Sequence, residues 1–275
     1  MKLRKAIKII SIIIGSLVLA VVLMGLTTII SHSKRRWKPD YEMVELDEIL
    51  NKAEFSDEDY QILFDQTGLT KIGVDRVVET YGKKKLKEYQ DSYYKDRPVE
   101  HLWISPVTCY DQFEKPIPFS PLEDGDILIS DTTHLSFWHC GHAELVVNGM
   151  FNRTIYSMGY GYPTEVGYCY DFFQRLNFII LRPKLDKETI HQITEYAINN
   201  LQGIPYQATI GYFNKKFPDK LKTTNCSHLV WYAFKKFGID IDTNGGPGAY
   251  PYDLIDLEHF EIVQVYGFNP DKLWN

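Results

Sequence analysis

The sequence predicts an α+β fold in which an antiparallel sheet packs against a helix that carries a cysteine. Three observations predict it. Short β-type segments lie between residues 127 and 181 and return near the carboxyl end, helical patterns precede and interrupt them, and a long apolar run lies near the amino terminus. This pattern predicts a sheet-and-helix domain joined to a lead-in and a membrane segment.

The amino-terminal apolar run spans residues 9–30, carries no charge and would extend about 30 Å as a helix. We therefore expect residues 1–38 to form a transmembrane anchor with basic flanks. A cleaved signal peptide is the alternative, but the run is longer than an h-region and no small-residue cleavage site follows it. Both flanks are basic, so charge does not indicate the orientation. N-terminal anchors commonly leave the rest of the chain outside the cytoplasm. We therefore expect a location at the cell membrane with an extracytoplasmic catalytic part. The basic residues of the two flanks are Lys2, Arg4, Lys5, Lys8, Lys34, Arg35, Arg36 and Lys38.

Residues 39–121 are predicted to form a helical lead-in followed by an irregular connection. Apolar residues recur at helical spacing from Val44 to Phe64, a glycine turn interrupts them at Gly68, and the pattern resumes over residues 73–81. Prolines at 106, 116, 118 and 121 are typical of an irregular segment. The lead-in is therefore expected to pack on the domain that follows.

Residues 122–275 are predicted to form the catalytic domain. Asp186 can cap a helix that Gly203 and Pro205 end. Asn148 and Gly149 form a turn that makes the third strand a hairpin partner of the second. The predicted strands are residues 127–130, 142–147, 153–158, 177–181 and 260–266.

The second strand carries two titratable side chains on one face. Alternation places His142, Glu144 and Val146 on one side of the strand and Ala143 and its apolar neighbours on the other. A histidine here can be a hydrogen-bonded core residue or a general base. Only pairing with a nucleophile favours the second interpretation.

The segment from Thr223 to Gly238 has a complete set of helix signals. Asn225 is a good N-cap, lysines lie in the last predicted turn and Gly238 can end the helix. Cys226 then lies in the first turn, on the face that packs against the sheet, where the helix dipole favours a thiolate. Cys226 is therefore a candidate nucleophile, and a small buried apolar residue is the alternative.

Nucleophilic catalysis by Cys226 needs a base, and His142 is the best placed of the eight histidines. The group that orients the ring is left open between Glu144 on the same face and Tyr156 on the neighbouring strand. The sequence thus predicts a Cys–His pair with one of two orienting side chains.

Several other classes of site are weighed or excluded. A net charge of −6 without a concentrated basic face argues against a nucleic-acid partner. The four cysteines do not form a disulfide framework of the small secreted type, and no phosphate-binding or dinucleotide motif occurs, so no cofactor is expected. A zinc site is the competing hypothesis, but strand alternation would scatter its ligands, so no metal is assigned. Its candidate ligands are His134, His139, Cys140 and His142.

Four motifs in order resemble the YiiX/YycO-type circularly permuted papain-like cysteine hydrolases, within the NlpC-type cysteine peptidase superfamily. They are G-D-I-L at 125–128, G-H-A-E-L-V at 141–146, G-I-P-Y at 203–206 and N-C-S-H-L-V-W at 225–231. The resemblance covers residues 122–267. It implies a permuted papain-like fold, Cys226 as nucleophile and His142 as base.

The chain departs from this family at two positions. Relatives often carry Glu, Gln or His where Tyr156 stands, and glycine where Glu144 stands. Tyr156 can orient a ring by hydrogen bonding but offers no carboxylate at neutral pH, so either the ring is held more loosely or Glu144 substitutes for the missing acid. Tyr206 matches a family tyrosine near the active centre and is assigned to substrate binding, together with Ser227.

The resemblance implies a membrane-anchored amidase or peptidase. Its expected substrate is a peptide or acyl-amide, with peptidoglycan stem peptides as the leading candidate. The alternatives are a lipid-directed N-acyl or ester hydrolase or acyltransferase, and a catalytically silent binding module on the same scaffold.

Overall fold

The computed structural model describes residues 2–33, 37–100, 107–135 and 138–273. Residues 34–36 of the predicted basic flank and Pro106 of the irregular connection lie outside the described residues. Within the described ranges, the chain forms an N-terminal apolar helix, a group of short helices, and an α+β unit built on one antiparallel sheet.

The N-terminal helix α1 spans Lys2–Ser33. Its stretch Ile7–Leu26 is long and apolar enough to cross a membrane, and its side chains are exposed. The predicted apolar segment is thus a helix, and its length is that of a bilayer span.

The lead-in contains four helices, and the prediction of short helices here is confirmed. Ser56 and Asp59 form a capping box at the start of the second of them, and Gly68 ends it in the left-handed conformation with φ of 71°. The four helices are α2 (Asp47–Leu50), α3 (Asp57–Thr67), α4 (Lys71–Tyr81) and α5 (Leu86–Tyr94).

The remaining regular elements are ten strands and two helices. The strands are β1 (Val99–Glu100), β2 (Cys109–Tyr110), β3 (Ile127–Ser130), β4 (His134–Leu135), β5 (Trp138–His139), β6 (His142–Asn148), β7 (Arg153–Tyr156), β8 (Glu165–Tyr168), β9 (Phe178–Pro183) and β10 (Phe260–Tyr266). The helices are α6 (Lys187–Asn200) and α7 (Cys226–Lys235).

Six strands form the main sheet in the order β10-β9-β3-β6-β7-β8, and all their pairings are antiparallel. The five predicted strands are all present in it, whereas β8 was not predicted. Residues 157 and 158, expected to continue β7, lie beyond its end at Tyr156. This early end matters for the site described below.

The sheet separates two apolar clusters, as period-two alternation requires. Ala143, Leu145 and Val147 of β6 pack on the side of α6 and α7, in a cluster that includes Val230 of α7. Val146 packs on the opposite side with Leu128 and Phe172. The predicted division of β6 into two faces is therefore confirmed.

The lead-in covers one edge of the sheet. The Gly68 carbonyl accepts from the Val265 N–H at 2.8 Å, and the Thr70 N–H donates to the Val263 carbonyl at 3.0 Å. An edge strand exposes unpaired backbone groups that favour association with other chains. These contacts remove that exposure at β10.

Candidate functional site

Helix α7 starts at the candidate nucleophile. The Asn225 side chain accepts a hydrogen bond from the His228 N–H at 2.9 Å, so it caps the helix and fixes Cys226 as the first helical residue. The thiol therefore lies at the positive end of the helix dipole, as predicted. As a residue, Cys226 is partly exposed.

The imidazole of His142 lies against this thiol. His142 is the first residue of β6, it is buried, and its ring lies next to the Cys226 side chain, close enough for each group to shift the pKa of the other. Cys226 and His142 are 84 residues apart in sequence and come together because α7 packs across β6. The structure therefore brings together the two residues that the motifs singled out.

The early end of β7 leaves room for the sulfur. Successive residues of a strand direct their N–H groups to opposite sides. The Val146 N–H donates toward β3, so the N–H of Ala143, three residues earlier, points toward β7. Pairing between β6 and β7 extends only to Leu145 and Ile155, which leaves that N–H without a strand partner there. The Cys226 sulfur lies near this N–H and the Ser227 N–H, and both N–H groups lower the pKa of its thiol.

Glu144 holds the other side of the imidazole. Its Oε1 lies 3.1 Å from His142 Nε2, and its Oε2 accepts from the Thr154 hydroxyl at 2.5 Å. Glu144 is only 1% exposed, so its charge is screened little by water. Because Nε2 faces the carboxylate, Nδ1 is the ring nitrogen left for the thiol. Of the two candidates for the orienting group, Glu144 is the one in contact with the ring.

The pKa shifts follow from this chain of contacts. Burial disfavours the charged imidazole, but the hydrogen bond and charge of Cys226 and the hydrogen bond of Glu144 outweigh it and raise the pKa of His142 to about 9. Burial alone would raise the pKa of Cys226, but His142 and two backbone N–H groups lower it. Burial raises the pKa of Glu144, partly offset by His142. These directions favour a thiolate–imidazolium pair near neutral pH.

Tyr156 does not take the role predicted as an alternative to Glu144. It lies on the same sheet face as Thr154, but its hydroxyl donates to Glu165 Oε1 at 2.8 Å on the neighbouring strand β8. Its ring packs on Gly167, where a side chain would collide with it. The ring therefore turns away from His142, because glycine on β8 leaves space on that side.

Tyr206 and Ser227 have different surroundings, although both were assigned to substrate binding. Tyr206 is half-buried and pairs through its backbone with Thr224; burial and the nearby Cys226 thiol raise the pKa of its phenol. Tyr206 thus lies beside the thiol, as expected. Ser227 is buried, and its hydroxyl donates to the Ala249 carbonyl at 2.6 Å. That contact ties the start of α7 to the loop at Ala249, and the role of Ser227 in substrate binding stays a prediction.

The side chains of the zinc alternative have separate partners. His134 Nε2 lies 3.1 Å from the Thr108 hydroxyl, His139 Nδ1 lies 3.0 Å from the Asp131 carbonyl, and Cys140 Sγ lies 3.6 Å from the Thr133 carbonyl. His142 contacts Cys226 and Glu144. The rings of His134 and His139 lie 5.5 Å apart across β4 and β5, and among the described residues the four side chains do not form one cluster of ligand atoms.

Two features of the site escaped the sequence reasoning. Thr154 orients Glu144, and its position, paired with Val146 across β6 and β7, could have indicated a diagonal contact. Arg175 is buried, donates to Asp171 at 2.7 Å and to the Thr133 hydroxyl at 2.8 Å, and stacks on Phe172, whose ring contacts His142. Nothing in the local sequence signals this support, because it joins distant loops.

The comparisons with known proteins extend the motif resemblance only in part. The chain is 41% identical over 72 residues to a protein of Bacillus subtilis (strain 168) named "Uncharacterized protein YycO". The match spans 26% of this chain and 28% of that protein, which indicates a related family at most. No protein-family profile matches the chain. No solved structure matches it.

Proposed function

We propose that this protein is a membrane-anchored cysteine hydrolase that cleaves amide bonds, with Cys226 as nucleophile and His142 as the proton-transfer group. One observation carries the proposal. A cysteine at a helix N-terminus lies next to a buried imidazole, and a buried carboxylate contacts the other side of that ring. Nucleophile, base and orienting group in series are the arrangement of a catalytic triad.

The proposed reaction proceeds through a thioester. The Cys226 thiolate attacks the substrate carbonyl carbon, and the carbonyl electrons move to oxygen. The His142 imidazolium then gives its proton to the departing amine as the carbon–nitrogen bond breaks. Neutral His142 next removes a proton from water, which attacks the thioester and releases the acid and the thiolate. Glu144 positions the ring through both steps and touches neither substrate nor sulfur.

The oxyanion of the tetrahedral intermediate would face the start of α7. The first N–H groups of a helix have no intrahelical acceptor, and the helix dipole favours negative charge there. The Cys226 N–H is the nearest such donor to a carbonyl carbon bonded to its sulfur. The antiparallel sheet, the carboxyl-side helix bearing the cysteine and the order histidine before cysteine support a permuted papain-like fold.

The proposed location follows from α1. Its apolar stretch supports a single-pass anchor at the cell membrane. We place the catalytic part outside the cytoplasm because that is the usual orientation behind an N-terminal anchor. Peptidoglycan stem peptides are then the leading substrates, because they supply accessible amide bonds at that surface. No metal or cofactor enters the proposed mechanism.

Alkylation of the full-length protein in detergent tests the proposal. Iodoacetamide at neutral pH, with labelling resolved by peptide mass spectrometry, is expected to modify Cys226 at least about 10-fold faster than Cys140. Cys140 is the internal control because it is more exposed, yet burial raises the pKa of its thiol. A fast Cys226 would thus reflect its thiolate character and not its accessibility.

The matched variants are His142→Ala and His259→Ala. His142→Ala should lower the Cys226 rate to that of Cys140 or below. His259→Ala should not change it, because that ring pairs with Asp256 on the loop before β10. A Cys226 that reacts no faster than Cys140 in the unmodified protein would overturn the hydrolase proposal and favour a silent binding module.

A further inference from the structure

Six large aromatic side chains are exposed on three loops that surround the start of α7. We call them the aromatic collar. Phe213 is 83% exposed and Tyr160 is 71% exposed, whereas single scattered apolar residues are the ordinary state of a protein surface. The members of the collar are Tyr160, Tyr162, Tyr212, Phe213, Tyr250 and Tyr252.

Each of the three loops contacts the nucleophile's neighbourhood. The Tyr160 ring packs on Tyr206 at 5.0 Å, and Tyr206 lies beside Cys226. The Asn225 amide lies 3.4 Å from the Ala208 carbonyl in the second loop. The third loop receives the hydroxyl of Ser227 at Ala249. All three loops that carry the collar therefore lie next to the start of α7.

The second and third loops are locked together. The hydroxyls of Tyr212 and Tyr250 lie 2.7 Å apart, and Gly211 packs so closely on Pro247 that a side chain there would collide with the Pro247 carbonyl. Their aromatic rings are thus held at the surface by a fixed backbone. Tyrosine is a residue of membrane interfaces, because its ring is apolar and its hydroxyl can meet headgroups.

The second loop of the collar is basic, on a chain whose net charge is −6, whereas Glu165 and Asp253 lie beside the first and third loops. Lys215, Lys220 and Lys222 follow Phe213 on the same loop and are exposed, against one exposed carboxylate, Asp219. Lys216 is already paired with Asp242. An apolar tip flanked by lysines has the composition of a segment that docks on an anionic bilayer.

The membrane segment brings this face close to the bilayer. Helix α1 continues for about 10 Å beyond Leu26, and the chain from Ser33 to Trp37 can add at most about 15 Å. Trp37 is fixed to the catalytic unit, because its N–H donates to the Gly267 carbonyl at 3.0 Å. The next residue, Phe268, contacts Tyr252 of the collar at 6.3 Å.

From these observations we propose that the aromatic collar rests on an anionic phospholipid bilayer, with the Cys226 opening at the level of the headgroups. The proposal rests on the membrane anchor proposed above. Its consequence is that the scissile carbonyl belongs to a molecule held in the same leaflet, which favours the lipid-directed alternative over peptidoglycan stem peptides as the substrate of this site.

Photocrosslinking of the full-length protein in nanodiscs tests this orientation. The discs contain phosphatidylglycerol and a phospholipid that carries a diazirine beside its headgroup, and adducts are mapped by peptide mass spectrometry. Adducts are expected in loops 158–162, 209–215 and 250–252. They should be absent from Met150 and Phe151, which are 85% and 61% exposed in the turn at the opposite end of β6. Equal labelling of the turn and the collar, or labelling of neither, would overturn the proposal.

Matched substitutions sharpen the result. Phe213→Ser should lower the adduct yield on the other two loops by about 3-fold or more, whereas Phe151→Ser should not change it. Replacing phosphatidylglycerol by phosphatidylcholine should lower the yield as well. Undiminished yields in either case would overturn the proposed docking surface. If a soluble glycan or peptide shields the collar from labelling and the bilayer does not, the proposed docking surface is also overturned.

The Cys226→Ser variant separates this proposal from the hydrolase proposal. Its adduct pattern should match that of the unmodified protein, because docking does not use the thiol. Collar adducts combined with an unreactive Cys226 would leave the docking surface standing without the enzyme. A reactive Cys226 without collar adducts would leave the hydrolase proposal standing without the docking surface.

Discussion

At the scale of single residues, the proton balance at Cys226 depends on a buried carboxylate two residues from the histidine. Glu144 contacts Nε2 of His142 while Thr154 occupies the other oxygen of the carboxylate. The raised pKa of His142, about 9, means that the protonated ring is stabilised by folding. That contribution is complete below the ring's ordinary pKa of about 6.5 and is lost as pH rises through about 9.

Glu144→Gln is expected to narrow the pH range of the thiolate–imidazolium pair. Glutamine keeps the shape but removes the charge that favours the protonated ring, so the pKa of His142 falls and, with less imidazolium beside the thiol, the pKa of Cys226 rises. The measurement is the pH dependence of the Cys226 alkylation rate. The lower inflection of this rate profile, which reports the Cys226 thiol, should move to higher pH. The step near pH 9, which reports the His142 ring, should move to lower pH. Unchanged inflections would show that Glu144 does not act on the ring.

Tyr156→Phe is the matched comparison on the same sheet face. Because its hydroxyl donates to Glu165 and not to His142, its removal should leave both inflections of the alkylation profile within about 0.3 units of their positions. A shift as large as that of Glu144→Gln would restore Tyr156 as the orienting group. Together, the two variants decide whether Glu144 or Tyr156 orients the His142 ring.

At the scale of elements, the site depends on two ends: the first turn of α7 and the last pair of β7. The helix end supplies the dipole and the Ser227 N–H, and the strand end exposes the Ala143 N–H to the sulfur. One more residue pair in β7 would occupy that donor. A thiolate can therefore be stabilised here because a strand ends early.

Asn225→Ala is expected to lower the free energy of unfolding by about 1 kcal/mol, because the His228 N–H loses its capping acceptor. Urea denaturation of the full-length protein in detergent measures the change. Asn214→Ala is the control, since that exposed side chain bonds only to Gln207 on the same loop. A loss equal to that of the control would show that the cap contributes nothing.

The elements differ in how well local sequence indicated them. Strand β6 and helices α6 and α7 were predicted because period, cap and terminator agree over each segment. Strand β8 was missed: Glu165–Tyr168 contains a glycine and half-exposed residues, so it has no apolar alternation. Its pairing with β7, and not its own composition, makes it a strand.

At the scale of the whole molecule, the lead-in and the sheet are joined at β10. Besides the backbone bonds of Gly68 and Thr70, the buried Gln264 side chain accepts from the Ser120 N–H at 2.8 Å and donates to the Pro118 carbonyl at 2.9 Å. The irregular connection is therefore tied to the sheet edge. The division at residues 121 and 122 stays a prediction, and these contacts cross it.

Gly73→Ala is expected to destabilise the protein by about 1–3 kcal/mol, although alanine favours a helix by up to about 1 kcal/mol. A Cβ at Gly73 of α4 would lie 2.2 Å from the Val263 carbonyl oxygen, so α4 must move away from β10. Thr80→Ala, at an exposed position of the same helix, should change stability by less than about 0.5 kcal/mol. Urea denaturation measures both, and a stabilised Gly73→Ala would contradict this packing.

The sequence by itself determined the apolar N-terminal helix, the α+β class, the face of β6 that bears His142 and the start of α7 at Cys226. These depend on interactions within one segment, where period and capping act over a few residues. The tertiary structure alone decided that the thiol meets the imidazole and that Glu144, not Tyr156, orients it. It also decided that Ser227 is buried. Each of these depends on where one strand ends beside another, and local patterns carry no information about that register.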